Sequence, residues 1–459
     1  MTQEEALTIL KTGANVFLTG EPGSGKTHTI NEYVAYLRAH NVEPAITAST
    51  GIAATHIKGM TIHSWSGIGI KDRLSAYDLD KIASNERLAK RIVATKVLII
   101  DEVSMLSASV FEMVEAVCRV VRRSTKPFGG MQVVLVGDFF QLPPVVKNRQ
   151  REQEPGNDEF VFDGGEKPQA PFAYTSSTWK AVNPIICYLE EQHRQEDSQF
   201  LEVLGAIRSG QYGDAHISHI KTRMVEGKAA PANTVRLFPH NADVDRLNDE
   251  ALQKIDGVER SFSMRSSGPT AAVESLKRGC LSPERLIVKV GAAVMFTKNN
   301  PAGSFVNGTL GKVTGFAATG APIVKTHAGK HIVAEPMEWV VEEDGKIKAR
   351  ISQVPLRLAW AITVHKSQGM SLDAAVMDLS GAFEYGQGYV ALSRVRSLSG
   401  LYLLGLNDRA LQVHPEALEQ DAEFREQSDS ATNAFTTMPR RELSEMHQRF
   451  LKASGGIIG

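Results

Sequence analysis

Short apolar runs alternate with longer amphipathic stretches along the first third of the chain. The runs are four or five residues long and lie at 15–19, 45–48, 97–100 and 132–136. Runs of this kind predict buried strands, and residues 110–123 repeat valine at the spacing of a helix face. Because strands alternate with helices, we predict a parallel sheet covered by helices on both faces.

Two segments interrupt this alternation. Residues 147–170 are rich in charge, glycine and proline, which predicts an exposed connection between two lobes. Strands resume at 185–189, 374–379 and 401–404, but residues 287–342 contain short strand-like runs separated by Gly, Pro and Asn turns. These runs predict a small β-barrel inserted into the second lobe.

Composition narrows the class of protein. The chain has 459 residues, 42% of them hydrophobic and 22% charged, which suits two to four globular domains. Its formal net charge of −1 excludes a globally basic nucleic-acid binder, so any DNA affinity must come from a local groove. Three cysteines without a CxxC pair argue against zinc and disulfides, and no apolar run or basic leader indicates a membrane or export signal. We therefore expect a cytoplasmic protein that does not contact membranes.

A phosphate-binding loop follows the first predicted strand. The segment GEPGSGKT at 20–27 matches GxxxxGK[ST] and opens a helix, which is the context that the motif requires. Backbone N–H groups of such a loop face phosphates, Lys26 is expected to neutralise the β- and γ-phosphates, and Thr27 to ligate Mg²⁺. The alternative is an ordinary glycine-rich turn. The predicted nucleotide-binding residues of the loop are Gly20, Gly23, Ser24, Gly25, Lys26 and Thr27.

Polar residues end two further strands at the same predicted sheet edge. Asp101 would hold Mg²⁺, and Glu102 would act as general base on the attacking water. Gln141, in GDFFQLPP, would contact the γ-phosphate and that water. Two acids after a strand could instead cap a helix, and Gln141 could belong to a turn fixed by the prolines that follow. Together with the loop, these residues predict an enzyme that uses ATP and Mg²⁺.

Three further motifs decide against a simple kinase or GTPase. They are ASTGIAA with TIHSW at 48–65, EQHRQ at 191–195, and the pair TVHKSQGMSL at 363–372 and GYVALSR at 388–394. In this order the motifs resemble those of superfamily one helicases, most closely the Pif-one family in the branch that it shares with RecD. The segment ending IRSG at 207–210 also resembles a signature of that family.

The resemblance implies two RecA-like lobes with ATP between them. Arg194 and Arg394 match the arginines that contact the γ-phosphate, where an arginine can stabilise transition-state charge. Gln3 resembles the glutamine that recognises adenine. Outside these motifs, either arginine would more simply belong to a surface salt bridge.

The resemblance also implies DNA contacts next to the nucleotide site. Hydroxyl, imidazole and aromatic groups suit backbone positioning and base stacking, although Trp65 could equally be a core anchor. The predicted DNA-binding residues are Thr50, His63, Ser64 and Trp65 on the first lobe and Thr363, His365 and Ser367 on the second.

These expectations give a domain assignment. The resemblance implies a small wedge insertion in the first lobe, beside the duplex junction, and an insertion with an SH3-like barrel in the second. A helix at 440–451 is expected to close the second lobe. The boundaries are 1–66 and 86–165 for the first lobe, 67–85 for the wedge, 166–245 and 350–459 for the second lobe, and 246–349 for its insertion.

The function predicted is that of an ATP-dependent DNA helicase acting in DNA replication, recombination or repair. Its partners would be single-stranded DNA, forked or tailed duplexes and G-quadruplex DNA. The resemblance gives 5′-to-3′ polarity, and we expect a monomer when free. One alternative is a RecD-like motor subunit of a nuclease complex, which co-purifying nuclease partners would reveal. Another is a nucleotide-gated binding module, which the full set of catalytic residues disfavours.

Overall fold

The computed structural model describes most of the chain. The residues described are 1–56, 59–69, 71, 73–144, 171–191, 197–225, 234–298, 300, 303–305, 307–343, 346–368, 370 and 372–457. The predicted connection at 147–170 lies outside them. Within these residues no helix is both long and apolar enough to cross a membrane.

A parallel sheet organises the first lobe. Among the described residues it has six strands in the order β3-β2-β4-β5-β1-β6, all paired in parallel. The predicted α/β class is therefore confirmed. The strands are β1 Val16–Gly20, β2 Ala45–Ala48, β3 Met60–Thr61, β4 Val97–Asp101, β5 Gln132–Val136 and β6 Ile185–Leu189.

Helices cover both faces of this sheet because successive strand residues point to opposite sides. Phe17 packs into a core with α7, whereas Val16 and Leu18 pack into a second core with α1 and α2 on the other face. The first-lobe helices are α1 Gln3–Leu10, α2 Lys26–Ala39, α3 Gly51–His56, α4 Ile62–Ser66, α5 Ala76–Ala83, α6 Glu86–Ala94, α7 Ala108–Val121 and α8 Ser177–Val182. Helix α5 lies in the segment predicted as the wedge, and Tyr77 on it is 74% exposed.

The position of β6 corrects one expectation. Residues 166–245 were assigned to the second lobe, but β6 pairs in parallel with β1, where Cys187 faces Leu18 in register. An apolar run predicts a buried strand but not the strand that it pairs with. The polar segment at 147–170 suggested a lobe boundary, but the strand that follows it still belongs to the first lobe. The first lobe therefore extends to Leu189.

The chain then enters the second lobe and its insertion. The lobe begins with α9 Ser198–Arg208, α10 Asp214–Lys221, β7 Val235–Phe238 and α11 Asn241–Gln253. The insertion contains β8 Arg260–Ser263, β9 Arg265–Ser267, α12 Thr270–Gly279, β10 Arg285–Val288, β11 Ala293–Phe296, β12 Leu310–Phe316, β13 Pro322–Thr326, β14 His331–Val333, β15 Met337–Glu343, β16 Lys346–Gln353 and β17 Leu356–Leu358.

The insertion is built from antiparallel strands. Its largest sheet has the order β14-β13-β12-β11-β17 and encloses a core that includes Val294, Phe296 and Val324. The predicted group of short strands is confirmed in position, and its description as an SH3-like barrel stays a prediction.

A second parallel sheet completes the second lobe. Its order is β18-β7-β19-β20 within the described residues, so the insertion separates β7 from its neighbour β18 in sequence. The remaining elements are β18 Ala361–Thr363, β19 Ala375–Leu379, α13 Gln387–Leu392, β20 Leu401–Leu406, α14 Pro415–Thr437 and α15 Arg440–Ala453. A 3₁₀ turn at His365–Ser367 follows β18.

The last two helices return to the first lobe. We call α14 and α15 the C-terminal strap. The Phe424 ring contacts the Phe17 ring at 5.3 Å between centroids, and the Ser428 hydroxyl accepts the Tyr188 N–H at 3.0 Å. On α15, His447 Nε2 lies 3.0 Å from the Thr8 carbonyl oxygen. The expectation that this region closes the second lobe is wrong, because Phe424 and Leu451 pack into the two hydrophobic cores of the first lobe.

Candidate active site

The phosphate loop joins β1 to α2 as the motif predicts. Gly20 and Gly25 have φ values of +142° and +89°, which residues with a Cβ rarely adopt. A Cβ on Gly20 would lie 2.5 Å from the Leu189 carbonyl oxygen, and one on Gly25 would lie 2.2 Å from Gln3 Nε2. Glycine is therefore required for the loop to close this tightly.

The polar groups of the loop fit a bound phosphate. Ser24 Oγ is fully buried and has no hydrogen-bond partner among the described residues, so an additional acceptor such as a phosphate oxygen would satisfy it. Lys26 Nζ donates to the carbonyl oxygens of Gly20 and Glu21 at 2.7 and 3.0 Å. Thr27, in the first turn of α2, is exposed at the mouth of the site. The predicted nucleotide-binding residues are thus brought together.

Asp101 and Glu102 lie at the carboxyl end of β4. Glu102 has φ 52° and ψ 46°, a left-handed conformation, and its N–H donates to Asp101 Oδ1 at 2.9 Å. Burial raises the pKa of Asp101 to about 6. Burial and the neighbouring Asp101 charge raise the pKa of Glu102 to about 7, although Lys26 acts to lower both values. A cation in this site would favour the ionised carboxylates.

The donor set suits magnesium held partly by its substrate. No group of three or more His, Cys, Asp or Glu side chains that could hold a metal occurs in the described part of the chain. Mg²⁺ usually binds through one or two carboxylates together with substrate phosphates and water. Asp101 and Thr27, as predicted, are compatible with this mode.

Gln141 follows β5 and faces the acid pair. Its side-chain Nε2 donates to Asp138 Oδ2 at 3.3 Å, and Arg208 Nη1 donates to both oxygens of Asp138 at 2.9 Å. Burial tends to raise the pKa of Asp138, but Arg208 and Lys26 outweigh it and lower that pKa. The ionised Asp138 therefore fixes the orientation of the Gln141 amide.

The second lobe reaches the same site through Gln368. Its Nε2 donates to Glu102 Oε2 at 3.0 Å and to Gln141 Oε1 at 3.3 Å. Gly386, which precedes α13, also approaches the first lobe: a Cβ there would lie 2.5 Å from the Phe140 carbonyl oxygen and 2.7 Å from that of Gln141. The lobes therefore meet at the end of the motif that contains Gln141.

Of the two predicted arginines, the structure describes one. Arg394 is buried, and its guanidinium donates to the Val390 carbonyl oxygen at 2.8 Å and to Ser393 Oγ at 2.7 Å. Its charge lowers the pKa of Glu102, against the larger effects of burial and Asp101. Arg194 lies outside the described residues.

Gln3 lies beside the phosphate loop. Its Nε2 donates to the Ser24 carbonyl oxygen at 3.4 Å, and its backbone N–H donates to Glu191 Oε2 at 3.3 Å. This position is compatible with the predicted contact to adenine, which stays a prediction.

The first-lobe residues predicted to bind DNA differ in exposure. Thr50 Oγ1 accepts the Ala53 N–H at 3.2 Å at the start of α3, and Ser64 on α4 is exposed. His63 is half-buried. Trp65 is only 2% exposed and belongs to the core behind β4. This burial favours the core-anchor alternative for Trp65.

On the second lobe, His365 is the predicted DNA-binding residue that reaches the surface. Thr363 and Ser367 are buried, and Ser367 Oγ donates to the Val364 carbonyl oxygen at 2.7 Å. His365 Nε2 lies 3.2 Å from Glu384 Oε2, and its side chain is partly exposed. Thr363 and Ser367 therefore shape the turn that presents His365.

An aromatic pair that sequence reasoning missed lies next to His365. The rings of His240 and Phe383 stack with centroids 4.8 Å apart and planes 14° from parallel. His240 follows β7, and Phe383, which is 43% exposed, follows β19 and precedes Glu384. Because parallel strands share one carboxyl edge, these side chains and His365 form one surface.

Comparison with known proteins identifies the family. A sequence model described as PIF1-like helicase matches residues 3–216, and one described as DNA helicase Pif1, 2B domain, matches residues 273–316. The chain is 42% identical to an "ATP-dependent DNA helicase Pif1" of Psychrobacter sp. across 100% of its own length and 76% of that protein. The chain belongs to the PIF1-like helicases.

Solved helicases share the fold of this PIF1-like helicase. Bacteroides sp. Pif1 in complex with ADP-AlF4 matches with a TM-score of 0.76 and 28% identity, covering 92% of this chain and 96% of that one. Bacteroides Pif1 bound to ssDNA matches with a TM-score of 0.63 and 28% identity over the same shares. The predicted family, two-lobed fold, helicase class and use of ATP with Mg²⁺ are confirmed at the level of the family.

Two buried residues of the PIF1-like helicase were not predicted as site residues. Gln368 lies within HKSQG and Arg208 within IRSG, so both motifs pointed to the correct segments. The Arg208–Asp138 and Gln368–Glu102 hydrogen bonds join residues that are 70 and 266 positions apart in sequence. Spacing along the chain carries no signal for such contacts.

Proposed function

We propose that this PIF1-like helicase hydrolyses ATP between its two lobes and uses the cycle to move along single-stranded DNA. The observation that carries the proposal is the position of Gln368, which bonds Glu102 and Gln141 and directly follows the His365–Ser367 turn. One turn of the second lobe thus borders both the hydrolytic residues and the DNA-facing surface.

The geometry of the site supports the following proposed catalytic roles. The loop N–H groups and Lys26 bind the phosphates, and Thr27 and Asp101 would hold Mg²⁺, which neutralises charge on the phosphate oxygens when bound. Glu102 accepts the proton of the attacking water, and Gln141 orients that water. Arg394, with Arg194 expected from the resemblance, stabilises charge that develops on the transferred phosphoryl group.

Movement requires that each nucleotide state favours a different arrangement of the lobes. A ligand shifts such an equilibrium only through its different affinity for the two arrangements. Here the γ-phosphate would bind groups of both lobes, so ATP favours closure and hydrolysis favours reopening. Alternating grip by the two lobes then advances the protein along the strand.

The DNA surface combines backbone contacts with stacking. His365 and the His240–Phe383 pair line the second lobe, and Thr50, His63 and Ser64 line the first. Such contacts bind single strands without reading their sequence. A Bacteroides relative has been solved bound to ssDNA, which supports this ligand. We also propose forked or tailed duplexes as substrates, 5′-to-3′ polarity, resolution of G-quadruplexes and a monomeric free state.

Steady-state ATP hydrolysis with and without a single-stranded oligonucleotide tests the proposal. We expect strong stimulation by DNA in the wild type and no turnover in Lys26→Ala, because the variant loses the charge that binds the phosphates. The exposed Lys180→Ala variant is the matched control and should behave as wild type. An ATPase rate that does not respond to DNA would contradict the motor.

Tailed duplexes extend the same experiment to direction. Unwinding should require a 5′ overhang and should vanish in Lys26→Ala. Unwinding from 3′ overhangs alone would refute the polarity and leave the motor assignment intact.

A further inference from the structure

Gln368 extends from the second lobe to the centre of the hydrolytic site. It follows the His365–Ser367 turn, and its backbone N–H donates to the His365 carbonyl oxygen at 3.4 Å. The side chain is 8% exposed. Any displacement of the turn therefore moves the Gln368 amide as well.

The two acceptors that Gln368 contacts are held in place. Gln141 uses its Nε2 on Asp138, which Arg208 fixes, so Gln141 must present Oε1 to the cleft. Glu102 offers Oε2 to the same point. Glu102 Oε2 and Gln141 Oε1 both accept from the Gln368 amide, so the point between them suits a donor with two hydrogens.

A water molecule in position to attack would satisfy the same two acceptors. It must donate to the general base Glu102 and be oriented by Gln141, at O···O distances of about 2.7–2.8 Å. The Gln368 nitrogen already makes both bonds, at 3.0 and 3.3 Å. The amide and the water cannot occupy one position together, so this arrangement excludes the attacking water.

We propose that Gln368 is a positioning residue that holds hydrolysis off until DNA engages the His365–Ser367 turn. When His365 contacts a strand, the turn shifts, the Gln368 amide leaves Glu102 and Gln141, and water takes its place. The mechanism rests on the proposed function and explains how DNA at one surface of the second lobe raises turnover in the cleft.

The test compares kcat and KM for ATP in wild type, Gln368→Ala and Gln368→Asn, each with and without saturating single-stranded DNA. Both variants should raise the DNA-free kcat about ten- to a hundredfold, since losing a hydrogen bond to a charged group is worth roughly that range. The KM for ATP and the DNA-stimulated kcat should stay within about twofold of wild type. Asparagine keeps the amide but is one methylene too short to reach both acceptors.

The exposed Gln427→Ala variant on α14 is the control and should leave every parameter unchanged. Titration with a fluorescent ADP analogue and a melting curve establish that each variant is folded. If Gln368→Ala does not fold, Gln368→Asn carries the test. A fall or no change in the DNA-free kcat of the folded variants would overturn the role of Gln368. A wild type without DNA stimulation would instead overturn the proposed function.

Discussion

Glu102 occupies the left-handed region of backbone conformation, which costs a residue with a Cβ roughly 1–2 kcal/mol. The surrounding structure maintains it: Ser49 Oγ donates to the Glu102 carbonyl oxygen at 2.7 Å, and the Glu102 N–H is bonded to Asp101. Strain of this kind often occurs at functional sites. Here it turns the chain away from the β4 direction and brings the Glu102 carboxylate to Gln368.

At the residue scale, Phe383→Ala should weaken binding of single-stranded DNA. Losing one stacking face removes about 1–3 kcal/mol of binding free energy per base. Fluorescence anisotropy at one fixed salt concentration measures the change, because such affinities depend strongly on salt. The DNA-free ATPase rate should not change, since Phe383 lies outside the nucleotide site.

Val120→Ala is a suitable control for Phe383→Ala. Val120 is 40% exposed on α7, away from the second-lobe surface. Equal DNA affinity in both variants would show that the aromatic pair does not contact bases.

Individual residues differ in how far the sequence predicts them. Lys26 and Asp101 occupy positions that a motif fixes relative to a strand end, so their place was predictable. Trp65 shows the limit, because an aromatic residue in a DNA motif and one in a core look alike in sequence. Gln368 could not be predicted as a partner of Glu102, since that contact exists only once two lobes have folded and met.

At the scale of elements, periodicity identified strands but not their neighbours. The boundaries of β2, β5 and β6 agree with the predicted runs, yet β6 joins the sheet of the first lobe. The second helix of the strap, α15, was also predicted from the sequence. The part of the molecule against which the strap packs depends on shape complementarity. Local patterns do not encode that complementarity.

Phe424→Ala tests the packing of the strap. Phe424 is 5% exposed and lies against the rings of Phe17, Phe139 and Trp179. Replacing a buried phenylalanine by alanine should lower the free energy of unfolding by about 3–5 kcal/mol. Urea unfolding followed by circular dichroism measures the loss.

Leu418→Ala provides the comparison within the same helix. Leu418 is 37% exposed, so its replacement should change the free energy of unfolding by only about 0.5 kcal/mol. Similar losses in both variants would mean that the strap is not anchored in the first-lobe core.

At the scale of the whole molecule, Arg208 connects three parts. Its guanidinium bonds Asp138 and Tyr188 of the first lobe and Tyr389 of the second, and Tyr188 Oη in turn donates to Asp421 of the strap at 2.9 Å. The Arg208 guanidinium also lies 4.0 Å from the centroid of the Phe140 ring. Burial of so many polar groups is tolerated because both Nη atoms of Arg208 are hydrogen-bonded, although Arg208 Nε has no hydrogen-bond partner among the described residues.

Arg208→Met should therefore destabilise the protein strongly. It leaves Asp138 buried without its cation, and breaking a buried ion pair in this way costs about 3–5 kcal/mol of unfolding free energy. Denaturant unfolding measures the change, and adding Asp138→Asn should recover part of it. The exposed pair Arg441–Glu445 is the control, because Arg441→Met should cost no more than about 1 kcal/mol. A loss of that small size at Arg208 would contradict its central role.

Gly386 allows the two lobes to approach each other closely. Since a Cβ there would lie 2.5 Å from the backbone of Phe140, the two lobes can meet at this point only while position 386 has no side chain. A methyl group added at Gly386 would act as a spacer that sets a minimum separation of the lobes without adding a polar or charged group to the cleft. Residue size at this position is thus a gauge of lobe separation, and because Gly386 has φ +75°, every side chain placed there also strains the local backbone.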